Sequence, residues 1–417
     1  MPLRWEASAA AWGGPRAGAA VHRARRLLTL LLPLALVVLD HAPGASSSPL
    51  EPAATPAACT LVASPSGSDS ASGSSSAPFQ TVQKLVDSLA SGQTGCVRQG
   101  TYYENVRIAH GGVAGAPVTL TSYPGETATV VGRMYVVEGA NYVSVTGLDL
   151  NGENPQRGLS PMIDANHVTF SYDDVTNDHT GICFGIGSTT WGWATGTLIT
   201  HDRIHDCGQL PATNHQHGLY VGAATDTTIA WNLIYGNADR GIQLYPDAQH
   251  TTIDHNIIDD NGEGIIISGA DGYASSYTNV YDNIISNATI RHDVESYWPS
   301  GNAVGVDNTV HDNCVWGGRE AAIDTSSGGF MSYDNLTANP RYVDAADRDY
   351  ELRPSSACLV MSGDPQAAVD GSPPVTPTAA AVIATRRAMS LHRTHHPAWP
   401  AVSLAGQAAQ AAADQLR

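Results

Sequence analysis

The sequence predicts an all-β fold in which short parallel strands stack into a solenoid. Three observations support this: a turn-rich composition with 41 glycines in 417 residues, a segment that recurs every 23 residues, and apolar side chains that alternate along each copy. Strands with one apolar face need a shared interior. Equal spacing also places like residues above like residues, so the copies are expected to form coils.

The repeat is clearest in three segments that begin at His217, Arg240 and Glu263. They read "HGLYVG", "RGIQLYPDA" and "EGIIISGA", and their glycines are in register (Gly218, Gly241 and Gly264). Weaker copies lie upstream, in "VSVTGLDL", "VTFSYDDVT" and "LITHDRIH". The strand that follows each glycine has apolar residues at alternate positions, as expected for a face packed against an interior.

Asparagines recur at the turns of the same copies. Asn232, Asn256 and Asn283 align, and a second set follows (Asn237, Asn261 and Asn287). Stacked asparagine amides can bond to one another along a solenoid and so satisfy buried polar groups. The sequence therefore predicts asparagine ladders at these turns.

The two ends of the chain lack this repeat. A basic segment containing Arg23, Arg25 and Arg26 precedes the apolar run "LLTLLLPLALVVL" and a stretch of small residues, a pattern typical of a signal peptide. A retained N-terminal anchor is the alternative. We expect four segments: a signal peptide with an extended n-region, a linker, the solenoid and a low-complexity, disordered tail (residues 1–45, 46–58, 59–363 and 364–417).

Six cysteines and a net charge of −18 define the expected environment. No zinc-type CxxC spacing occurs, so disulfides in an oxidising compartment are favoured. Of the fifteen possible pairings, we prefer the sequential one. The acidic surface argues against nucleic-acid or anionic-membrane partners, and we expect a secreted, monomeric protein. The predicted pairs join neighbours along the chain (Cys59 with Cys96, Cys183 with Cys207, Cys314 with Cys358).

The repeats resemble the right-handed parallel β-helix superfamily, which includes secreted bacterial pectate-lyase-like proteins. The segments "VASPSGSDSASGSSSAPFQTVQKLVDSLASGQTGCVRQGTYYENVRI" and "ANPRYVDAADRDYELRPSSACL" are similar to the opening and closing segments of such proteins. The resemblance implies a single-stranded right-handed β-helix that binds polysaccharide along an outward sheet face. An amphipathic helix is predicted after Pro78 as an N-terminal cap, from four apolar residues at helical spacing (Phe79, Val82, Val86 and Leu89).

The candidate site lies between Thr176 and Asp260, where the insertions "FGIGSTTWGWATGT" and "HDCGQLPATNHQHG" lengthen the repeat. The residues expected to be catalytic are His215, His217, Arg240, Tyr245 and Glu263. Those expected to bind substrate are polar or aromatic (His179, Trp191, Trp193, Tyr220, Gln243 and Asp247).

The repeat places His217, Arg240 and Glu263 in one column about 5 Å apart per coil. As a functional column, Arg240 would neutralise a uronate carboxylate and His217 would act as general base, with Tyr220 or Tyr245 as acid. As a structural column, it would be an ion-pair ladder. Sequence leaves both open.

No cofactor is expected, although calcium is possible at the acidic turn "DLNGENPQ". His215 and His217 could point to one side of a strand as two metal ligands. A third ligand, His205 or His179, would have to come through folding that sequence does not show, so no metal centre is predicted. Lys84 is the only lysine and lies on the predicted cap, which argues against a lysine-dependent lyase. The sequence thus favours a lyase or glycosidase without a lysine base; the alternative is a non-catalytic carbohydrate-binding or structural surface β-helix.

Overall fold

A computed structural model describes residues 58–371, 375, 377–382 and 385. The predicted signal peptide, nearly all of the linker and most of the predicted tail lie outside these residues. The described chain winds through three parallel sheets of 11, 10 and 10 strands. In most coils each sheet receives one strand, and that strand pairs with its counterparts in the coils before and after it. The predicted all-β parallel β-helix is confirmed.

The first sheet runs the length of the solenoid. Its inward side chains, such as Val145, Ile229 and Val280, are fully buried. Its strands, in stacking order, are Leu61–Ala63, Thr94–Val97, Val118–Ser122, Val143–Thr146, Thr169–Ser171, Leu198–Thr200, Thr228–Ala230, Thr252–Asp254, Asn279–Tyr281, Thr309–His311 and Met331–Tyr333.

The second sheet contains the longest strands and the ends of both predicted insertions. Its strands are Val106–Ile108, Met134–Val136, Met162–Ile163, Phe184–Ile186, Ala194–Thr195, Leu219–Thr225, Arg240–Gln249, Glu263–Ser268, His292–Tyr297 and Ala321–Ile323.

The third sheet closes each coil. Its strands are Gly100–Tyr103, Ala128–Val131, Asp149–Asn151, Asp174–Thr176, Arg203–His205, Leu233–Tyr235, Ile257–Asp259, Ile284–Ser286, Cys314–Trp316 and Leu336–Thr337.

The glycine column has a packing origin. A Cβ added to Gly241 would lie 2.9 Å from Cγ2 of Ile258, which is a core residue. A Cβ added to Gly264 would lie 2.1 Å from the backbone oxygen of Asp293. Any larger residue would therefore collide with the interior or with the next coil where the chain enters the second sheet.

The first asparagine ladder is present and longer than the three predicted members. The Asn256 side chain accepts the Asn232 backbone N–H at 2.9 Å and donates to Oδ1 of Asn283 at 2.9 Å. Asn283 bonds to Asn313, and Asn313 to Asn335, in the same way. Four amide-to-amide contacts of the same kind thus join asparagines on five successive coils.

Two aspartates continue this ladder towards the N-terminus. The Asp202 backbone N–H donates to Asn232 at 2.9 Å, and the Asp173 N–H donates to Asp202 at 2.8 Å. Burial raises the pKa of Asp173 to about 8, although backbone N–H donors oppose the shift. Burial, followed by the nearby Asp173 charge, raises the pKa of Asp202 well above its usual value. The carboxyl groups here favour the protonated form, which resembles the amide they replace.

The second predicted ladder is shorter than expected. Asn237 bonds to Asn261 at 2.8 Å, but Asn287 is exposed and donates to Asp259 instead. The interval from Asn283 to Asn287 is one residue shorter than in the other copies, so the buried position is taken by Ala288.

The helix after Pro78 spans Val82–Ser88, with the Thr81 side chain accepting from Lys84 N–H as N-cap. Its buried residues include Val82 and Val86, as predicted, whereas Phe79 and Leu89 are buried just outside the helix. The helix packs near the first strands of the solenoid. Its role as a cap stays a prediction.

The C-terminal segment packs on the outer face of the third sheet. It comprises the antiparallel strands Tyr342–Asp344 and Asp349–Leu352, the 3-10 helix Ala345–Asp347, and the helices Cys358–Ser362 and Pro365–Asp370. An apolar cluster that includes Tyr350 and Leu359 joins it to that sheet. The helix Pro365–Asp370 lies beyond residue 363, where we placed the end of the solenoid. In the part of the chain that the structure describes, no helix is both long and apolar enough to cross a membrane.

The disulfides follow the sequential order. They join the segment before the first strand to the second strand, the two ends of an inserted coil, and the third sheet to the C-terminal helices (Cys59–Cys96, Cys183–Cys207 and Cys314–Cys358).

Candidate functional site

A cleft of about 540 Å³ lies on the outward face of the second sheet, beside both insertions. Seven of the predicted site residues line it, together with small and apolar residues of the neighbouring coils. The seven are Trp191, His215, His217, Tyr220, Arg240, Gln243 and Tyr245.

Strand register brings the floor residues together. Leu219 and Val221 are buried in the core, so Tyr220 between them points outward. Tyr220 pairs with Gln243 in the next coil, and Gln243 pairs with Ile266 in the coil after that. Residues far apart in sequence therefore form one outward column along the cleft.

The predicted column of His217, Arg240 and Glu263 contains a buried ion pair. Arg240 and Glu263 are register partners, and Nε of Arg240 lies 3.0 Å from Oε2 of Glu263. Both side chains are 4% exposed. Glu263 also accepts from Arg291 at 2.7 Å and does not line the cleft. This is the geometry expected of a structural ion pair, although Arg240 itself still borders the cleft.

His217 lies at the base of the cleft. It is 1% exposed, and burial, followed by the charge of Arg240, lowers its pKa well below the usual range. The imidazole is therefore neutral near pH 7. Hydrogen bonding by the Gln243 side chain partly opposes this lowering of the pKa. His217 and Gln243 are therefore neighbouring polar groups of the cleft floor, although Nδ1 of His217 and Oε1 of Gln243 form no close hydrogen bond within the described residues.

Two tyrosines supply phenol groups to the cleft. The rings of Tyr220 and Tyr245 are 6.2 Å apart, and the Tyr220 ring is nearly parallel to His217 at 6.0 Å. Burial, with a smaller contribution from Tyr245, raises the pKa of Tyr220. Burial and the charge of Asp271 raise the pKa of Tyr245. Both phenols keep their protons at neutral pH and can act as donors.

The rim of the cleft is exposed and largely aromatic. Trp191 and Tyr297 are each 56% exposed, and His215 is also exposed. His215 and His217 therefore differ sharply in burial, although both line the cleft. Of the two, His215 is the one that a ligand in the cleft can reach directly.

Three predicted substrate-binding residues do not line the cleft. Trp193 is exposed outside it. Asp247 is buried and bonds to Gln249 at 2.6 Å. His179 bonds to the Gly208 carbonyl at 3.0 Å. Their proximity in sequence to the true lining residues is what made them candidates, because sequence does not show how a loop turns.

Sequence reasoning missed Asp239, whose carboxylate binds the loop that carries His215. The only sequence signal is its position immediately before Arg240. It also missed Tyr297 at the rim, two coils beyond Tyr245.

A second group of ligand-type side chains lies further along the same sheet. The ligand atoms of His292, Glu295 and Asp324 lie within 4.8 Å of one another. Glu295 is already paired with Arg291 and His292, each at 2.7 Å, and Asp324 accepts from Ser326. Glu295 is thus paired with the Arg291 guanidinium and Asp324 is bonded within its own turn, so the group carries no assignment as a metal centre.

Comparison with known proteins agrees with this architecture. The family described as "Right handed beta helix region" matches residues 143–338. Pectate lyase PEL9 of Emericella nidulans is 33% identical over 186 residues, 44% of this chain and 40% of that protein. The uncharacterized protein YwoF of Bacillus subtilis is 36% identical over 73 residues, 18% of this chain and 16% of that protein. The matched region thus spans less than half of either relative.

Solved structures show the same fold at low sequence identity. Pectate lyase Pel9A superposes with a TM-score of 0.52 at 13% identity, over 70% of this chain and 84% of that one. XylC in complex with xylose superposes with a TM-score of 0.51 at 13% identity, over 66% of this chain and 75% of that one. With the repeats, the three parallel sheets and the family match over residues 143–338, these likenesses identify the fold as a right-handed parallel β-helix.

Proposed function

We propose that this chain acts outside the cytoplasm on a polysaccharide bound in the cleft, and that it cleaves a uronate-containing chain by β-elimination. Its relatives include pectate lyases, and exposed aromatic rings at the rim suit the apolar faces of sugars. Three disulfides fit an oxidising, extracellular compartment.

The observation that carries this proposal is the set of ionisable groups in the cleft. Among the described residues that line it there are histidines, tyrosines and Arg240, but no aspartate or glutamate. Most glycoside hydrolases use two carboxyl groups beside the scissile bond, and calcium prefers carboxylate oxygens. β-Elimination needs a base, a proton donor and a group that stabilises the uronate carboxylate, and the cleft contains residue types for all three.

The proposed reaction uses the groups that a substrate can reach. The His215 imidazole removes the proton at C5 of the uronate, and the C–H electrons form the C4–C5 double bond. The C4–O bond to the leaving sugar breaks, and the Tyr245 phenol donates a proton to the departing oxygen. Arg240 borders the cleft with a side chain that is only 4% exposed, so its positive charge attracts the uronate carboxylate from the cleft wall and no direct contact is assigned to it. Because His217 is 1% exposed, we assign the base role to His215 and treat His217 as a polar group of the floor.

The test incubates the protein with a panel of uronans and neutral glycans. It measures the absorbance of unsaturated products and the release of reducing ends. The lyase proposal predicts both signals on at least one uronan, with turnover that persists after chelator treatment. Tyr245→Phe should lower kcat about 100-fold or more. The matched control is Tyr103→Phe, because Tyr103 is 81% exposed and lies outside the cleft. Reducing ends without unsaturated products would contradict elimination.

The second candidate is binding without catalysis. It is favoured by the internal bonding of Arg240, which already contacts Glu263 and both oxygens of Asn214. Affinity for a uronan with no turnover, at any pH, would support this function instead.

A further inference from the structure

The loop that carries His215 is held by a buried carboxylate from the next coil. Three successive backbone N–H groups, those of Asn214, His215 and Gln216, donate to Asp239 at 2.7, 2.9 and 2.8 Å. The Thr213 hydroxyl adds a longer contact of 3.4 Å. Asp239 is 3% exposed, so these donors replace water around the carboxylate.

The residue after Asp239 holds the same loop from a second direction. Arg240 donates through Nη1 to the Asn214 carbonyl at 2.8 Å, and through Nη2 to the Asn214 side chain at 2.5 Å. Glu263 fixes the guanidinium through Nε, and Arg291 in turn binds Glu263. A continuous chain of hydrogen bonds and ion pairs therefore reaches from the loop through the coils of Arg240, Glu263 and Arg291, which are the next three coils.

This arrangement is not required by the coil itself. The equivalent of Asp239 in the next coil is Gly262, where a Cβ would lie 2.3 Å from the Asp239 backbone oxygen. At the other end of the loop, the Cys183–Cys207 disulfide and the bond from Gly208 N–H to the Gly181 carbonyl already secure the chain. The Asp239 carboxylate thus serves the final residues of the insertion, where His215 meets the cleft.

We infer that Asp239 and Arg240 are positioning residues, which hold the Thr213–Gln216 loop so that the His215 imidazole faces the cleft. The role of His215 in this inference rests on the proposed function. The loop contacts themselves do not, and they can be measured without any substrate.

The experiment compares wild type with Asp239→Asn in the full chain. Asparagine keeps the shape of the side chain but lacks the negative charge and one acceptor oxygen. The amides bound to that oxygen lose their acceptor, and the remaining amides bond to an uncharged one. Amide hydrogen exchange at Asn214, His215 and Gln216 should accelerate about 10-fold or more. With a substrate, kcat should fall about 10-fold or more, while KM changes less than 3-fold because the aromatic rim is intact. The matched control is Asp226→Asn, at an exposed turn, which should change none of these quantities.

Each remaining result has a distinct meaning. Unchanged exchange at the three amides would show that Asp239 does not hold the loop. Faster exchange with unchanged kcat in a catalytically active wild type overturns the positioning role and leaves the lyase proposal in place. If wild type turns over no glycan, the lyase proposal fails. The holding of the loop by Asp239 is then supported by faster amide exchange together with weaker uronan affinity, and it is overturned by unchanged exchange.

The variant Arg240→Lys adds a second measure. Lysine is a point charge without the planar fork of arginine and cannot bind both Asn214 oxygens, so we expect a partial loss of protection from amide exchange.

Discussion

Two columns run through the same coils and differ in almost every respect. The asparagine ladder repeats one residue type from Asn232 to Asn335, is uncharged, and bonds to itself. The other column changes from His217 to Arg240 to Glu263, is charged, and bonds to loops outside the coil. The asparagine is repeated because each of these coils needs the same contact to its neighbour. The residues of the charged column differ from coil to coil because they hold one wall of the cleft, which is a local feature.

The contrast also appears in unsatisfied atoms. Asn256 uses both its amide oxygen and its amide nitrogen within the ladder. Beside the varied column, Nδ1 of His217 and Oε1 of Gln243 have no partner among the described residues. Other buried atoms of the described residues, such as Oδ2 of Asp202 and Oγ1 of Thr251, also lack a partner, so this contrast concerns the residues compared and does not by itself mark a ligand site.

The largest stability effect is expected from breaking the charged column. Glu263→Ala leaves Arg240 buried without its carboxylate, and the free energy of unfolding should fall by about 3–5 kcal/mol. Urea unfolding followed by circular dichroism measures this. The control is Glu320→Ala, because Glu320 is 58% exposed and its removal should cost less than about 0.5 kcal/mol.

The comparison sharpens when both charges are removed together. Arg240→Met with Glu263→Leu should recover most of the stability, because a buried ion pair contributes little net free energy. Glycan affinity should not recover. Full recovery of both stability and affinity would contradict a functional contribution of Arg240.

A substitution in the asparagine ladder should lower the free energy of unfolding less than one in the charged column. Asn256→Ala leaves the Asn232 N–H and the Ile229 carbonyl without partners, and we expect a loss of about 2–4 kcal/mol in urea unfolding. Unlike substitutions in the charged column, Asn256→Ala should leave KM for a glycan unchanged at temperatures where the variant is folded. The comparison variant is Asn287→Ala, which is exposed and outside the ladder; an equal loss there would contradict a ladder-specific effect.

The aspartate end of the ladder predicts a dependence on pH. The folded pKa of Asp173, about 8, exceeds the unfolded value of about 3.9. The folded state therefore holds a proton that the unfolded state releases, and stability falls as pH rises from about 4 through 8, by at most ~1.4 kcal/mol per pH unit. Asp173→Asn should remove this loss, raising stability at pH 8 by about 1–3 kcal/mol and changing it little at pH 4. Asp226→Asn, at an exposed turn, is the control; a gain at pH 4 equal to that at pH 8 would contradict the proton linkage.

The regular parts of the molecule were predictable from sequence because their physics repeats. The glycine column, the first asparagine ladder and the sheet register follow from periodic spacing, and a one-residue difference misled us only at Asn287. The cleft residues on strands, such as Tyr220 and Gln243, were predictable for the same reason. The conformation of the insertions was not predictable. Trp191 and Trp193 lie two residues apart in the same insertion, and only the path of the loop determines which of them lines the cleft. The Asp239 contacts escaped prediction because three backbone donors leave no sequence signature.

The two tryptophans provide the smallest and most direct test of this difference. Trp191 is 56% exposed and lines the cleft, whereas Trp193 is 45% exposed and lies outside it. Aromatic stacking contributes about 0.5–1.5 kcal/mol, so Trp191→Ala should weaken glycan binding roughly 3- to 10-fold. Trp193→Ala should change affinity less than about 2-fold, and both variants should melt near the wild-type temperature because both side chains are exposed. Isothermal titration with the same glycan measures the affinities. Equal losses for the two variants would show that the whole insertion contacts the ligand, and that the cleft alone does not define the binding surface.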